Sequence, residues 1–320
     1  MDNLTHSMLG AVLGQTGLKR KTGLGMAALI IGANIPDIDA TCTFWGTQSL
    51  AMRRGLTHGP LAMVLLPLLL TGALILYDRW QNRRGKRPEA RLPVRPGWLL
   101  ALSYIGTLSH PAMDWMNSYG IRLLEPFSSR WFYGDVLFII DLVLWIVLIG
   151  GFIWSRRAEK RESGDWRKRG QIIIATACGY IFLNGVITGM AEAGAHTHLH
   201  DAGVEPEMVV ANPVPLTFWR RTILWRSHDG RYSRYDFDIF APASLRPESG
   251  AGAVGKTGLD DPRIPALVSR SADARAFLFW SRMPVARFDD NDGLVLGDQR
   301  FDSSFTRNNF RVMIPFMDGE

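Results

Sequence analysis

The feature that most constrains this chain is a set of four apolar runs, about Thr22–Ala40, Pro60–Tyr77, Val136–Trp154 and Gln171–Ala191. A hydrocarbon core ~30 Å thick takes roughly 20 residues to cross, so each run is long enough, or nearly so, to be a membrane helix. A fifth stretch, Gly97–Met113, is shorter and carries Ser, Thr and His. Leu4–Leu18 is apolar and rich in small residues, short enough to be either a span or a re-entrant or interfacial helix. All of these lie in the first 195 residues, and the remainder is ordinary and polar. Two cysteines, Cys42 and Cys178, exclude a disulfide-framed secreted module and fall short of a cysteine zinc site. The net charge of +6 sits between the apolar runs, where membrane proteins keep their basic residues, so no nucleic-acid partner is expected. Met1-Asp2-Asn3 lacks the basic leader of a cleaved signal peptide. These features predict an integral protein of the cytoplasmic membrane.

Lys and Arg in the short connecting loops predict its orientation. Three basic knots, Lys19–Lys21, Arg79–Arg95 and Arg156–Arg169, hold three, seven and seven positive charges, seventeen in all. The alternate loops hold four: Arg53, Arg54, Arg122 and Arg130. The knots are therefore expected in the cytoplasm, and five crossings would put the C-terminal part outside. After Asp201 the pattern turns to short β-prone stretches. Arg221–Trp225 and Tyr232–Phe240 flank the turn His228-Asp229-Gly230. Ala276–Ser281 and Gly293–Leu296 bracket Asp292-Gly293, and Arg311–Phe316 reads as a last strand. Pro242–Pro262, rich in Gly, Ala and Pro, reads as a flexible loop. The expected fold is an α-helical polytopic membrane domain of about five to six helices over residues 1–200. A small β-rich extracytoplasmic domain follows over 201–320.

Ionisable residues near a membrane are costly and so become candidates for function. The pair Asp37 and Asp39, His58, and His110 with Asp114 fall at one depth on the outer face of the predicted topology, and His6 joins them if Leu4–Leu18 crosses or dips inward to the basic knot. His110 and Asp114, four apart, share one face of a helix. Imidazole nitrogens and carboxylate oxygens are ligands that zinc, manganese and iron accept. Six of them exceed one tetrahedral zinc and would suit one or two ions. Asp135, at the outer start of a span, is a further ligand, the proton acceptor or a helix N-terminal carboxylate. Asp141 could brace a ligand histidine, Asn34 and Thr57 could orient ligands, and Glu125 is a weaker base. Arg53 and Arg54 fit either a phosphate or lipid head groups. His196, His198 and His200 would share one side of an extended chain and could form a second metal site.

The fragments Asn3-Leu4-Thr5-His6, Asn34-Ile35-Pro36-Asp37-Ile38-Asp39, Arg54-Gly55-Leu56-Thr57-His58 and His110-Pro111-Ala112-Met113-Asp114 resemble a bacterial family of inner-membrane metal-dependent hydrolases. This is the family of the YdjM proteins, also labelled LexA-binding. Asn117-Ser118-Tyr119-Gly120 through Pro126-Phe127 and Trp131-Phe132-Tyr133-Gly134-Asp135 are similar to its longer members, as is Asn212-Pro213 followed by Phe218-Trp219-Arg220. The resemblance covers the membrane half well and the C-terminal part loosely. It implies a hydrolase of undetermined substrate and, through the LexA label, a cytoplasmic partner that an outward-facing site does not explain. The leading expectation is a membrane-bound metal-dependent hydrolase acting at the outer interface on a lipid or phosphoester, with zinc or manganese. The rivals are an ion-handling protein and a scaffold whose residues 201–320 bind an envelope partner, the metal being only structural.

Overall fold

A computed structural model of the chain describes residues 1–162, 164–241, 246–247, 254–289, 293–302 and 310–315. The helices, in chain order, are α1 (Asn3–Gln15), α2 (Gly25–Gly32), α3 (Ser49–Met52), α4 (Pro60–Arg83), α5 (Pro96–Trp115), α6 (Leu142–Trp145), α7 (Gly151–Lys160), α8 (Trp166–Asp201), α9 (Ile264–Arg270) and α10 (Ala272–Trp280). The strands are β1 (Pro206–Pro213), β2 (Arg220–Ser227), β3 (Arg231–Asp238), β4 (Arg246–Pro247), β5 (Gly255–Lys256), β6 (Pro284–Asp289), β7 (Gly293–Asp298) and β8 (Arg311–Ile314). The chain divides into two compact units, one of Met1–Asp39 with Arg54–Gly185, the other of Ala40–Arg53 with Val186–Glu320.

In the first unit, local chemistry sets where the helices begin and end. The Asp2 carboxylate accepts from the backbone of Leu4 and Thr5 at the start of α1, and Gly17, at φ 111°, lets the chain turn away after it. Pro60 and Pro96 open α4 and α5, where the missing N–H costs nothing. Among the described residues two helices, α4 and α8, are long and apolar enough to cross a membrane. They contain the runs expected at Pro60–Tyr77 and Gln171–Ala191.

The run Thr22–Ala40 is not one helix. Its α-helical part, α2, has 8 residues and covers only ~12 Å at 1.5 Å per residue. Asn34 turns its amide back onto the Ile30 carbonyl, and from Ile35 to Gln48 the chain winds in 3₁₀ turns broken by a kink at Trp45 and Gly46. Val136–Trp154 is likewise interrupted: the Asp141 carboxylate caps the Leu144 N–H, so helix begins only at Leu142 and runs through a π turn, Ile146–Gly150, into α7. The short helix α2 nonetheless lies at the centre, with Ala28, Leu29 and Ala33 fully buried. Its neighbours α1 and α5 approach closely through Gly10 and Gly106. A methyl group on either glycine would come within 2.7 Å of the Leu29 carbonyl oxygen. By contrast, α4 turns Leu61, Val64, Leu65, Leu68, Leu69 and Leu76 outward, a face that hydrocarbon tolerates and water does not.

The three basic knots meet at one end of this unit. Lys19 and Arg156 both bind Glu159, Lys21 lies 5.0 Å over the Trp98 ring, and the Thr22 hydroxyl accepts from the Arg95 backbone.

The second unit holds an antiparallel sheet in the order β1-β2-β3-β4, with β5 also paired to β3, and a three-stranded sheet in the order β6-β7-β8. His228-Asp229-Gly230 does form the turn between β2 and β3, with Gly230 at φ 76°. Ile187, Ala191 and Ala195 of α8 pack on Ala211, Ile223 and Phe237 of the first sheet. Ala276–Ser281, expected as a strand, belongs to α10 instead. Ser271 caps the Ala274 N–H, and Ala274, Phe277 and Trp280 recur at helical spacing on the buried face. The strand that precedes β7 and pairs with it is β6, closer in sequence, and β8 pairs along its other edge. Asp292, Phe316 and much of the Pro242–Pro262 loop lie outside the described residues.

Candidate metal centre

Three segments of the first unit converge at the end of α5. His110 and Asp114 stand one turn apart on its buried face, Asp37 comes from the 3₁₀ segment after α2, and His58 from the bend before α4. One ligand atom from each of these four lies within 4.8 Å of all the others. His58 Nε2 and His110 Nε2 are 3.1 Å apart, and Asp114 Oδ2 is 3.6 Å from each. Asp37 Oδ1 is 3.5 Å from His110 Nε2 and 3.9 Å from His58 Nε2. Ligand bonds of about 2.0–2.2 Å in a tetrahedron put ligand atoms roughly 3.3–3.6 Å apart, so the donor set fits a divalent ion.

The hydrogen bonds behind the imidazoles sharpen that fit. His110 Nδ1 is 2.7 Å from the Ala33 carbonyl, an acceptor, so Nδ1 carries the proton. The Thr57 hydroxyl donates its one proton to Asp39 Oδ2 at 2.8 Å, so at 2.9 Å it can only accept from His58 Nδ1. In the neutral form of both rings the Nε2 atoms present their lone pairs to each other. Two ring nitrogens at 3.1 Å are held together either by a proton shared between them or by a cation that both bind. Ligating histidines commonly have such partners on the far ring nitrogen, where these fix the tautomer.

His6 and Asp39 stand beside the four-atom cluster. His6 stacks on His110 with ring centres 3.8 Å apart, and its Nε2 is 3.2 Å from Asp114 Oδ1, an oxygen the Met1 amino group also contacts. His6 Nδ1 is buried with no hydrogen-bond partner among the described residues. Asp39 Oδ2 accepts from Thr57 and from the Arg54 backbone, and lies 3.5 Å from His58 Nδ1, which makes it a brace for His58. Asp135 is buried at φ 53° in the segment after α5, where Val136 and Leu137 both donate to the Met116 carbonyl.

Other candidates serve the scaffold. Asp141 caps α6 and accepts from the Tyr180 hydroxyl, not from a histidine. Asn34 binds Ser7 and Ile30, and Glu125 pairs with Arg122. His196, His198 and His200 lie on the helical end of α8, where successive residues turn by about 100°, so they do not share one side. His198 packs edge-on against Tyr235.

One member of the centre was open in the sequence between two roles. The Arg54 guanidinium is buried, with Nε 2.8 Å from Asp114 Oδ2 and Nη1 donating to Asn117 Oδ1 at 2.9 Å. Its only sequence cue is position: it lies four residues before His58 on the sparsely basic side.

A family description, YdjM inner membrane protein, matches residues 1–191, from His6 through every ligand of the cluster. The chain belongs to this family. No curated protein and no solved structure matches it. Membership in an inner-membrane YdjM family agrees with the apolar helices α4 and α8, and the matched region contains the whole candidate centre.

Proposed function

We propose that this YdjM-family chain is a metal-dependent hydrolase of the bacterial inner membrane, with its centre at the outer membrane–water interface. The observation that carries the reading is the close set of two imidazole Nε2 atoms and two carboxylates, with one ligand atom of each residue within 4.8 Å of the others. Asp37, His58, His110 and Asp114 would hold the ion, zinc or manganese, with His6 available to a second one. When bound, such an ion lowers the pKa of a water molecule to near neutrality and polarises the scissile group. The protein's own part is orientation and proton handling. Ala33 and the Thr57–Asp39 pair hold Nδ1 of each histidine so that Nε2 faces the ion position, and Asp135 accepts the proton. Its left-handed backbone is a strained conformation for a non-glycine residue, of a kind that gathers at working sites.

The outer-face placement rests on the basic end. Helix α5 rises ~30 Å over its 20 residues, and it starts beside the knots at Arg95 and ends at the centre. Basic loops stay in the cytoplasm, so the centre falls on the other face, about one bilayer core away. The ion-handling alternative needs ionisable groups through the membrane depth, and Asp141, the candidate for that, is occupied as a helix cap.

The test is the metal content of detergent-purified protein. The wild type should hold one or two equivalents of zinc or manganese, and the His110→Ala/Asp114→Ala double variant none. Asp135→Asn should keep the metal and lose hydrolysis of model phosphoesters. A folded wild-type protein that takes up no metal from excess would end the hydrolase reading.

A further inference from the structure

Arg54 enters the centre as a cation whose hydrogen-bonding capacity is only partly used. Nε faces Asp114 Oδ2 at 2.8 Å, Nη1 donates to Asn117 Oδ1 at 2.9 Å and to the Gly120 carbonyl at 3.5 Å, and the guanidinium lies 4.7 Å over the Tyr119 ring. Nη2 donates to nothing among the described residues. The backbone holds the residue firmly: it sits at φ 54°, its N–H bonds Asp39 and its carbonyl accepts from Arg122. A guanidinium fixed on three sides, with one nitrogen open beside a metal-type donor set, is arranged to meet an oxygen-rich anion.

The surroundings say what carries the anion. Ile38 stands between Asp37 and Asp39 and is 53% exposed, and Leu56 stands between Arg54 and His58 and is 63% exposed. The polar residues of these two segments turn inward while their aliphatic neighbours turn out. A soluble anion has no use for that aliphatic rim, whereas an amphiphile would lay its chain on it.

We propose that the centre takes a phosphoryl-bearing membrane amphiphile, its oxyanion held by Arg54 and its apolar part resting on Ile38 and Leu56. This rests on the reading of the centre as a hydrolytic site, and it adds the substrate class and the residue that selects it.

Calorimetric titration of the full-length, zinc-loaded protein in neutral detergent with hexyl phosphate and with inorganic phosphate tests it. Hexyl phosphate should bind at least about tenfold tighter than inorganic phosphate, and Arg54→Met should weaken it by about 10- to 100-fold, as losing a charge-assisted hydrogen bond does. The zinc stoichiometry should not change. Arg54→Lys keeps the charge without the fork and should bind several-fold more weakly at an unchanged melting temperature, which carries the test if Arg54→Met does not fold. Leu56→Ser should narrow the gap between the two ligands. Unchanged hexyl phosphate binding in both Arg54 variants would overturn the proposal. Equal binding of the two ligands by the wild type would overturn the membrane source and leave a soluble phosphate in its place. Arg54-dependent binding to a protein that takes up no zinc would end the hydrolase reading while the anion site stands.

Discussion

At the scale of single residues, the centre separates groups that would touch an ion from groups that aim them. Asp39 is of the second kind, since its Oδ2 reaches His58 through the Thr57 hydroxyl. Asp39→Asn should therefore keep the metal stoichiometry and lower the affinity by about 10–100-fold, the usual cost of losing a partner behind a ligand, as a chelator competition would measure. The opposite end of the unit offers a different test. Burial pushes the Glu159 carboxyl up, but Lys19 and Arg156 outweigh it and pull it from 4.5 down to about 2. A depressed carboxyl contributes stability in full above its unfolded pKa and loses it as the pH falls through the folded one. Glu159→Gln should lower the melting temperature at neutral pH, and the gap to wild type should close between about pH 4.5 and 2. A gap that persists at the acid end would contradict the ion-pair account.

At the scale of elements, α2 is the piece on which the centre leans. It is too short to cross a bilayer, yet its last turn supplies the Ala33 carbonyl that orients His110, and Asp37 follows directly. Its position depends on Gly106 of α5, since any side chain there meets the Leu29 carbonyl. Small residues at helix contacts let backbones approach in this way. Gly106→Val should destabilise the protein by about 1–3 kcal/mol, as overpacking does. It should also weaken metal binding although it touches no ligand. Thermal melting and a zinc titration on the same sample would check both halves, and full metal affinity in a destabilised variant would show that α2 does not position the site.

At the scale of the whole molecule, the arrangement to be tested is orientation. Seventeen basic residues fall in three knots that contact one another at one end of the first unit, and the candidate centre lies at the far end of α5. An alkaline phosphatase reporter, active only outside the cytoplasm, should be active when fused after residue 320. A cysteine placed at Leu56 should react with a membrane-impermeant thiol reagent in intact spheroplasts. A silent reporter with an unreactive cysteine would put the centre in the cytoplasm, on the side where a LexA-type partner would be found.

The sequence by itself determined the membrane class, the clustering of positive charge and the ligand types, because hydropathy, charge and donor chemistry are properties of residues and need no fold. It also placed the β2–β3 turn, since Gly230 in a left-handed conformation is a local requirement. The tertiary structure decided what apolar length alone leaves open. It shortened Thr22–Ala40 to the eight residues of α2, because Asn34 and Pro36 interrupt the backbone ladder, and it made Ala276–Ser281 helical through the Ser271 cap. It also separated Asp37 from Asp39, one facing the histidine nitrogens and the other bracing His58 from behind. Which neighbour a carboxylate meets depends on how distant segments pack. For the same reason Arg54, ambiguous in the chain, gained a defined place only when the fold set it against Asp114.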